Sequence, residues 1–359
     1  SAKAAVVIEA GTGRVVFGKN ENAKLPMAST TKIMSVLLTL ESGDLDSEFV
    51  VDSEAVKTEG SSMGLMEGDI VSKRDLCIGM LLPSGNDAAN CAAVKVGGSM
   101  AGFADMMNAK ASRLGLKNTH FVTPSGLHDD EHYSTAYDMA QLTSFALKND
   151  DFRAICSQKS IKLAFGDPPY DRWLANTNKL LTRYEGCVGV KTGFTDEAGR
   201  CLVSAAERDG VTLICVTLNA PDDWNDHEKM LNYGFERMNE DIVQLVRAET
   251  GLKIGFQAAE ELKLVLSSAL PAREVTATAV GLDMKTGFPG EKEISAVQIK
   301  RAVDPLVDAL ALLINGLIAD APEELSADLL RGGLILTGGG ALLSGLDSVL
   351  DERCGLPCH

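Results

Sequence analysis

Ser29 and Lys32 stand three residues apart in Pro26-Met-Ala-Ser-Thr-Thr-Lys32, at the head of an apolar run of Ile33, Met34, Val36, Leu37, Leu38 and Leu40. The spacing predicts a shared helix face, with the lysine amine in reach of the serine hydroxyl. Such a pair can do nucleophilic chemistry, because serine attacks only when an adjacent base takes its proton. Lysine is that base only when partly neutral, a state that burial and neighbouring cations favour. A helix starting at Ser29 would add free N–H groups and a positive partial charge beside the nucleophile. The same residues also read as a plain Ser-Thr-Thr N-cap, and S-x-x-K arises easily by chance.

Two further stretches weigh against chance. Ser84-Gly85-Asn86 falls between two helical patterns, and Lys191-Thr192-Gly193 follows the strand-like Val188–Lys191. Acyl transfer needs a nucleophile, a proton path and donors for the developing oxyanion. Ser29 fits the nucleophile and Lys32 its base. Ser84 can relay a proton to the leaving group, and Asn86 can hold the substrate's peptide carbonyl. Lys191 and Thr192 offer a cation and a hydroxyl to a carboxylate, while Gly193 leaves the strand edge bare for substrate. K-T-G alone is weak, since a second copy, Lys285-Thr286-Gly287, occurs without such companions.

The elements that must position these residues follow from periodicity. Ala4–Glu9 and Arg14–Lys19 alternate around Ala10-Gly-Thr-Gly13 and predict a hairpin. The Ser29 helix ends before Gly43. Residues 75–82 predict a short apolar helix stopped by Pro83, Ala88–Val96 a helix opened by Asp87, 101–115 an amphipathic helix, and Asp138–Leu147 another. Cys201–Ala206 and Val211–Leu218 flank Asp209-Gly210, a strong hairpin signal. A closing helix is expected over 226–238.

Residues 1–238 resemble the catalytic domain of low-molecular-mass penicillin-binding proteins, the serine-type D-Ala-D-Ala carboxypeptidases. The three motifs carry the resemblance, with Gly79-Met-Leu-Leu-Pro-Ser-Gly-Asn-Asp-Ala-Ala-Asn90, Pro124-Ser-Gly-Leu-His128 and Val188-Gly-Val-Lys-Thr-Gly-Phe-Thr195. It implies an α/β (α+β) transpeptidase fold of the penicillin-binding protein and β-lactamase kind, with an antiparallel sheet between helices. It also implies removal of the terminal D-alanine from peptidoglycan stem peptides through an acyl-serine, and binding of β-lactams, without cofactor or metal. The backbone N–H groups of Ser29 and Phe194 would form the oxyanion hole. His128 and Asp138 match family positions near the site, and each also reads as structural. A class A β-lactamase is the near rival, but no Glu lies between Glu131 and Glu185 to activate a deacylating water. No arginine lies between Arg208 and Arg237, where some family members carry one for the substrate carboxylate. A penicillin-binding sensor with slow turnover is another alternative.

The chain has 359 residues, 45% of them hydrophobic, with a net charge of −16. That length allows one large domain or two to three ordinary ones. The charge argues against nucleic acid and anionic membrane as main partners, and no apolar run is long enough for a membrane span. No signal peptide is read ahead of the strand-like Ala4–Glu9, which implies either a cytoplasmic chain or numbering that begins after a removed leader. The eight cysteines are Cys77, Cys91, Cys156, Cys187, Cys201, Cys215, Cys354 and Cys358, mostly within apolar runs, which favours buried free thiols. Cys354-Gly-Leu-Pro-Cys358-His359 offers three soft ligands, one short of a structural zinc site.

Of the eighteen aromatic residues, only Phe256 and Phe288 follow position 239, where a domain boundary is expected. Residues 241–359 resemble the C-terminal part of MreB-type bacterial actin homologues, in Gly255-Phe-Gln-Ala-Ala-Glu-Glu-Leu-Lys263, Gly281-Leu-Asp-Met-Lys-Thr-Gly-Phe-Pro289 and Leu336-Thr-Gly-Gly-Gly-Ala-Leu-Leu343. The resemblance would put Glu260 and Lys263 near a nucleotide's ribose and base, and Gly338-Gly339-Gly340 under the adenosine. The phosphate loops of such an ATPase are missing, so no functional ATP binding is expected over 239–359. The two resemblances imply different compartments: extracytoplasmic for the enzyme, cytoplasmic for the actin-like segment. A fusion of two gene fragments accounts for both, and a cell-shape protein with a decayed enzyme domain is the remaining alternative.

Overall fold

The computed structural model describes residues 1–208, 211–266, 275–319, 333–334 and 345–358. Its contacts divide the chain into Ser1–Gly234 and Phe235–His359.

The first unit is built on five antiparallel strands: β1 (Ala4–Glu9), β2 (Val15–Lys19), β7 (Cys187–Thr195), β8 (Gly199–Arg208) and β9 (Val211–Leu218), in the order β2-β1-β9-β8-β7. Alternation sends successive side chains of β1 to opposite faces. Val6 and Ile8 join one large core with Ile214, Val216 and the helix α1 (Lys32–Glu41). Val7 faces the other way, beside Leu213. There Gly234 of α8 (Asp223–Thr250) comes so near that an added Cβ would lie 2.7 Å from Leu213 and 3.2 Å from Val7.

Helix α1 is buried on every side; nine of its ten residues are buried, Lys32 to Leu40. A helix apolar all round belongs in a core, and this one carries the sequence's first motif into it. Around it stand α2 (Lys73–Leu81), α3 (Asn86–Gly97), α4 (Met100–Arg113), α5 (Ala136–Ala146) and α6 (Asp150–Cys156). Ser72 opens α2 with a capping box: its hydroxyl accepts from the Asp75 N–H while Asp75 accepts from the Ser72 N–H. Two hairpins, β3 (Glu48–Val50) with β4 (Ile70–Ser72) and β5 (Ser160–Gly166) with β6 (Pro169–Ala175), and the short α7 (Leu180–Arg183) complete the unit.

The structure moves several expected boundaries. Ser29 lies not in an α-helix but in a 3-10 turn, Ala28–Thr31, ahead of α1. Thr192-Gly193-Phe194-Thr195 continues strand β7 instead of ending it. The closing helix starts three residues earlier than 226, and it runs past 238, where the apolar residues Ile242 and Val246 enter a second core. The β5–β6 hairpin carried no expectation, its apolar residues being broken by Asp167-Pro168. Asp209-Gly210 lies outside the described residues.

In the second unit, β10 (Leu252–Lys253), β11 (Thr276–Asp283) and β12 (Pro289–Ser295) form an antiparallel sheet. Leu252, Ala279 and Ile294 pack with Ile242, Val246 and the α9 (Phe256–Leu266) residues Ala259, Leu262 and Leu266. A smaller cluster joins Val307 and Ala311 of α10 (Ala296–Ala319) to Leu346 and Leu350 of α11 (Leu346–Cys354). Leu334 bridges Cys358 in parallel. The second K-T-G copy sits in the exposed β11–β12 turn, where Asp283 accepts from the N–H groups of Lys285 and Thr286.

Candidate active site

The three motifs converge from the 3-10 turn, the start of α3 and the edge strand β7. Lys32 Nζ lies 2.8 Å from Ser29 Oγ, 2.7 Å from Asn86 Oδ1 and 2.8 Å from the Ser125 carbonyl oxygen. Lys32 is fully buried. Burial holds its pKa far below the ordinary lysine value, and the nearby Lys191 charge lowers it further, against an opposing pull from Asp87. A neutral amine has two N–H bonds and one lone pair. The two bonds go to Asn86 Oδ1 and Ser125 O, and the lone pair is left for the Ser29 hydroxyl proton. The surroundings thus suit the base form of Lys32 in charge and in hydrogen-bond count.

The other lysine closes the site from the sheet side. Lys191 Nζ donates to Ser84 Oγ at 2.8 Å and to the Thr192 carbonyl at 2.8 Å, and burial lowers its pKa to about 7. The Thr192 hydroxyl lies 2.6 Å from that of Thr177. Gly193 runs against the nucleophile's turn: a Cβ there would lie 3.0 Å from Ser29 N and 3.1 Å from Met27 O and Thr30 N. Phe194 beside it is 63% exposed. Among the described residues strand β7 is the outer strand of its sheet, an edge to which an extended ligand can pair.

Backbone strain marks both serines. Ala28, just before Ser29, has φ +48°, and Ser84 has φ +66°. The left-handed region costs a non-glycine residue roughly 1–2 kcal/mol, held here by the surrounding fold. Asn86 is steadied by its amide, which donates to Glu59 O at 2.7 Å. Asp87 follows it and gathers the loop before α2, accepting from Ser62 Oγ, Met63 N, Gly64 N and Leu65 N.

His128 and Asp138, the two residues expected near the site, make contacts of their own. His128 is partly exposed and pairs with Asp130 at 3.4 Å. The histidine the structure brings in is His132, 3% exposed, whose Nε2 lies 2.8 Å from Thr31 Oγ1. Asp138 is buried at the start of α5, where it accepts from Asn118 N and Thr119 Oγ1. Three histidines lie within thirteen positions, and burial sets His132 apart from His120 and His128. Among the described residues, no group of three or more His, Cys, Asp or Glu could hold a metal, and no helix is long and apolar enough to cross a membrane. All eight cysteines are free thiols. Glu260 and Lys263 lie in α9 with side chains outside the description, and Gly338, Gly339 and Gly340 lie outside the described residues.

Comparison with known proteins agrees with this geometry. The family model described as D-alanyl-D-alanine carboxypeptidase matches residues 1–222, and that described as MreB/Mbl protein matches residues 227–359. D-alanyl-D-alanine carboxypeptidase DacF of Bacillus subtilis is 33% identical over 347 residues, covering 93% of this chain and 87% of the relative. That alignment therefore continues past the first family match. D-alanyl-D-alanine carboxypeptidase of a Streptomyces strain is 37% identical over 245 residues, 63% of this chain and 84% of the relative. The crystal structure of the Streptomyces K15 DD-transpeptidase superposes with a TM-score of 0.62 at 34% identity, over 65% of this chain and 97% of the other. By its first 222 residues, the chain belongs to the D-alanyl-D-alanine carboxypeptidase family, and it carries an MreB/Mbl-like segment behind them.

Proposed function

We propose that Ser29 is the nucleophile of a D-Ala-D-Ala carboxypeptidase acting on peptidoglycan stem peptides, and that Lys32 is its base. The observation that carries this is the buried amine of Lys32, which spends both N–H bonds on Asn86 and Ser125 and faces Ser29 with what remains. Neutral Lys32 takes the Ser29 proton as Oγ attacks the carbonyl carbon of the penultimate D-alanine. The Ser29 and Phe194 N–H groups serve the oxyanion. Ser84 relays the proton held on Lys32 to the departing D-alanine amine, which leaves Lys32 neutral again, and Lys191 and Thr192 bind the carboxylate. Neutral Lys32 then takes a proton from the attacking water, whose oxygen bonds the acyl carbon as the bond to Ser29 Oγ breaks, and the proton passes to Oγ. β-Lactams enter by the same attack, with the ring amide in place of the peptide. Among the described residues no carboxylate hydrogen-bonds Ser29 or Lys32, which supports a long-lived penicilloyl adduct over β-lactamase turnover. His128 and Asp138 take no part in this scheme.

The reading places the enzyme outside the cytoplasmic membrane, where its polymer substrate lies, and gives residues 239–359 no ATP-binding role. Intact-mass spectrometry with penicillin G tests the core of it. The wild type should gain the mass of one penicillin and keep it, and Ser29→Ala should gain none while folding normally. Release of D-alanine from a diacetyl-lysyl-D-Ala-D-Ala peptide should disappear with the same variant. Undiminished labelling of folded Ser29→Ala, or rapid return to the free mass, would overturn the assignment.

A further inference from the structure

His132 joins the turn that carries Ser29 to the loop that supplies a carbonyl to Lys32. Its Nδ1 accepts from the Val122 N–H at 2.9 Å and the Thr123 N–H at 3.2 Å. Nδ1 therefore bears no proton, and the neutral ring carries its hydrogen on Nε2. Nε2 lies 2.8 Å from Thr31 Oγ1, whose own hydrogen goes to Ala28 O at 2.8 Å. The direction of every bond is fixed: the imidazole donates to Thr31, and Thr31 donates to the carbonyl just before Ser29. Phe121 meets the ring edge-on at 5.9 Å.

The same loop grips the turn and α1 at three more points. Ser125 O accepts from Lys32, and Pro124 O accepts from Ser35 Oγ at 2.6 Å. Gly126, with φ +86°, lies so close that a Cβ would fall 2.0 Å from Ala28 O. Sliding the loop would therefore move Ser29 and Lys32 together or break their 2.8 Å pairing. A second proton on the ring would turn Nδ1 against two N–H donors. Burial opposes that by holding the His132 pKa at about 4, with Asp129 raising it and His120 and His128 lowering it.

We propose that His132 is a positioning residue for acylation: through Nε2–H and Thr31 it sets the register between the Ser29 turn and the Val122–Gly126 loop. The proposal rests on the assignment of Ser29 as nucleophile. It is tested on the full chain by the rate of acylation with a fluorescent penicillin, at a temperature well below the Tm measured for each variant. His132→Asn keeps an acceptor near Val122 but cannot reach Thr31, and Thr31→Val removes the acceptor with little change of shape. Each should be acylated about 10²-fold more slowly, the scale of cost for a small misplacement of reacting groups. Thr31→Ser should restore the rate, and the double variant should be no slower than the worse single, because both remove one link. Wild-type rates in these variants, additive losses, or failure of Thr31→Ser to rescue would overturn the proposal. Should His132→Asn fail to fold, the Thr31 pair decides alone. Absence of a Ser29 adduct in the wild type would defeat the nucleophile assignment, whereas an adduct with unchanged variant rates would defeat only the role of His132.

Discussion

Lys32 and Asn86, 54 residues apart, meet at 2.7 Å with the lysine as donor and the amide oxygen as acceptor. A neutral acceptor is the condition for a neutral lysine there. Asn86→Asp puts a carboxylate on the same atom and favours the ammonium, raising the Lys32 pKa. Acylation by penicillin at pH 7 should then fall by about 10²–10⁴-fold, the usual worth of a general base. The lost rate should return as pH rises, so the profile shifts to the alkaline side. A variant with an unshifted profile would mean that Lys32 is not the group titrating.

Gly193 tests the fit of β7 to the nucleophile. A methyl there would lie 3.0 Å from Ser29 N and 3.1 Å from two more backbone atoms, none of which can swing aside as a side chain does. Either β7 or the turn must move. Gly193→Ala should lower the acylation rate by roughly 10–10²-fold while changing Tm little. A steady-state split should show the loss in kcat/KM. Unchanged acylation would show that substrate and strand leave more room than the backbone spacing indicates.

The motifs were legible in the sequence because each depends on side-chain type: an amine, a hydroxyl, an amide, or no side chain at all. The partners of Lys32 and Asn86 were legible only in part. Ser125 O and Glu59 O are backbone carbonyls, which any residue supplies, so nothing in the letters marks them. His132 was hidden for another reason. It meets Thr31 across 101 residues, and His120, His128 and His132 look alike until the fold buries one of them. Asp138 was legible as a candidate only, since a buried carboxylate holding two donors at a helix start reads the same in sequence wherever it sits. The central α1 was plain from its apolar run, yet the turn ahead of it, Ala28–Thr31, is 3-10, with Gly126 close against Ala28 O.

Two buried histidines should make the fold acid-sensitive. His227 is fully buried between Ser204 Oγ and Thr217 Oγ1, and burial lowers its pKa to about 3; that of His132 is held at about 4. Both lie below the ordinary value of about 6.5. Between these limits the unfolded chain binds more protons than the folded one, so stability rises with pH. The contribution is full above about pH 6.5 and is lost as pH falls towards 4 and then 3, by on the order of 3 kcal/mol for His132 and about 5 kcal/mol for His227. Tm should therefore drop steeply from pH 6.5 to 4. In His227→Gln, whose amide can keep one of the hydroxyl partners, the slope should be visibly shallower. Equal slopes would remove His227 as a cause.

The last prediction concerns what the second unit contributes. Leu231 and Gly234 of α8 pack within the first unit, whereas Ile242 and Val246 enter a core with Leu252, Leu262 and Ile294. Every side chain placed in the chemistry, from Ser29 to Thr192, lies in the first unit. A chain ending at residue 238 keeps the α8 contacts on Val7 and Leu213 and loses none of the site. It should be acylated by penicillin and release D-alanine at rates close to those of the full chain. Among the described residues the second unit has the smaller core, and it shows exposed apolar side chains, Phe288 at 72% and Leu312 at 73%. It should open first in urea, seen as an early transition that the short chain lacks. The sequence offers no counterpart to the two phosphate loops of an actin-like ATPase, so calorimetry with ATP and magnesium should give no heat of binding. Loss of activity on truncation, or micromolar ATP binding, would show that the segment serves the enzyme after all.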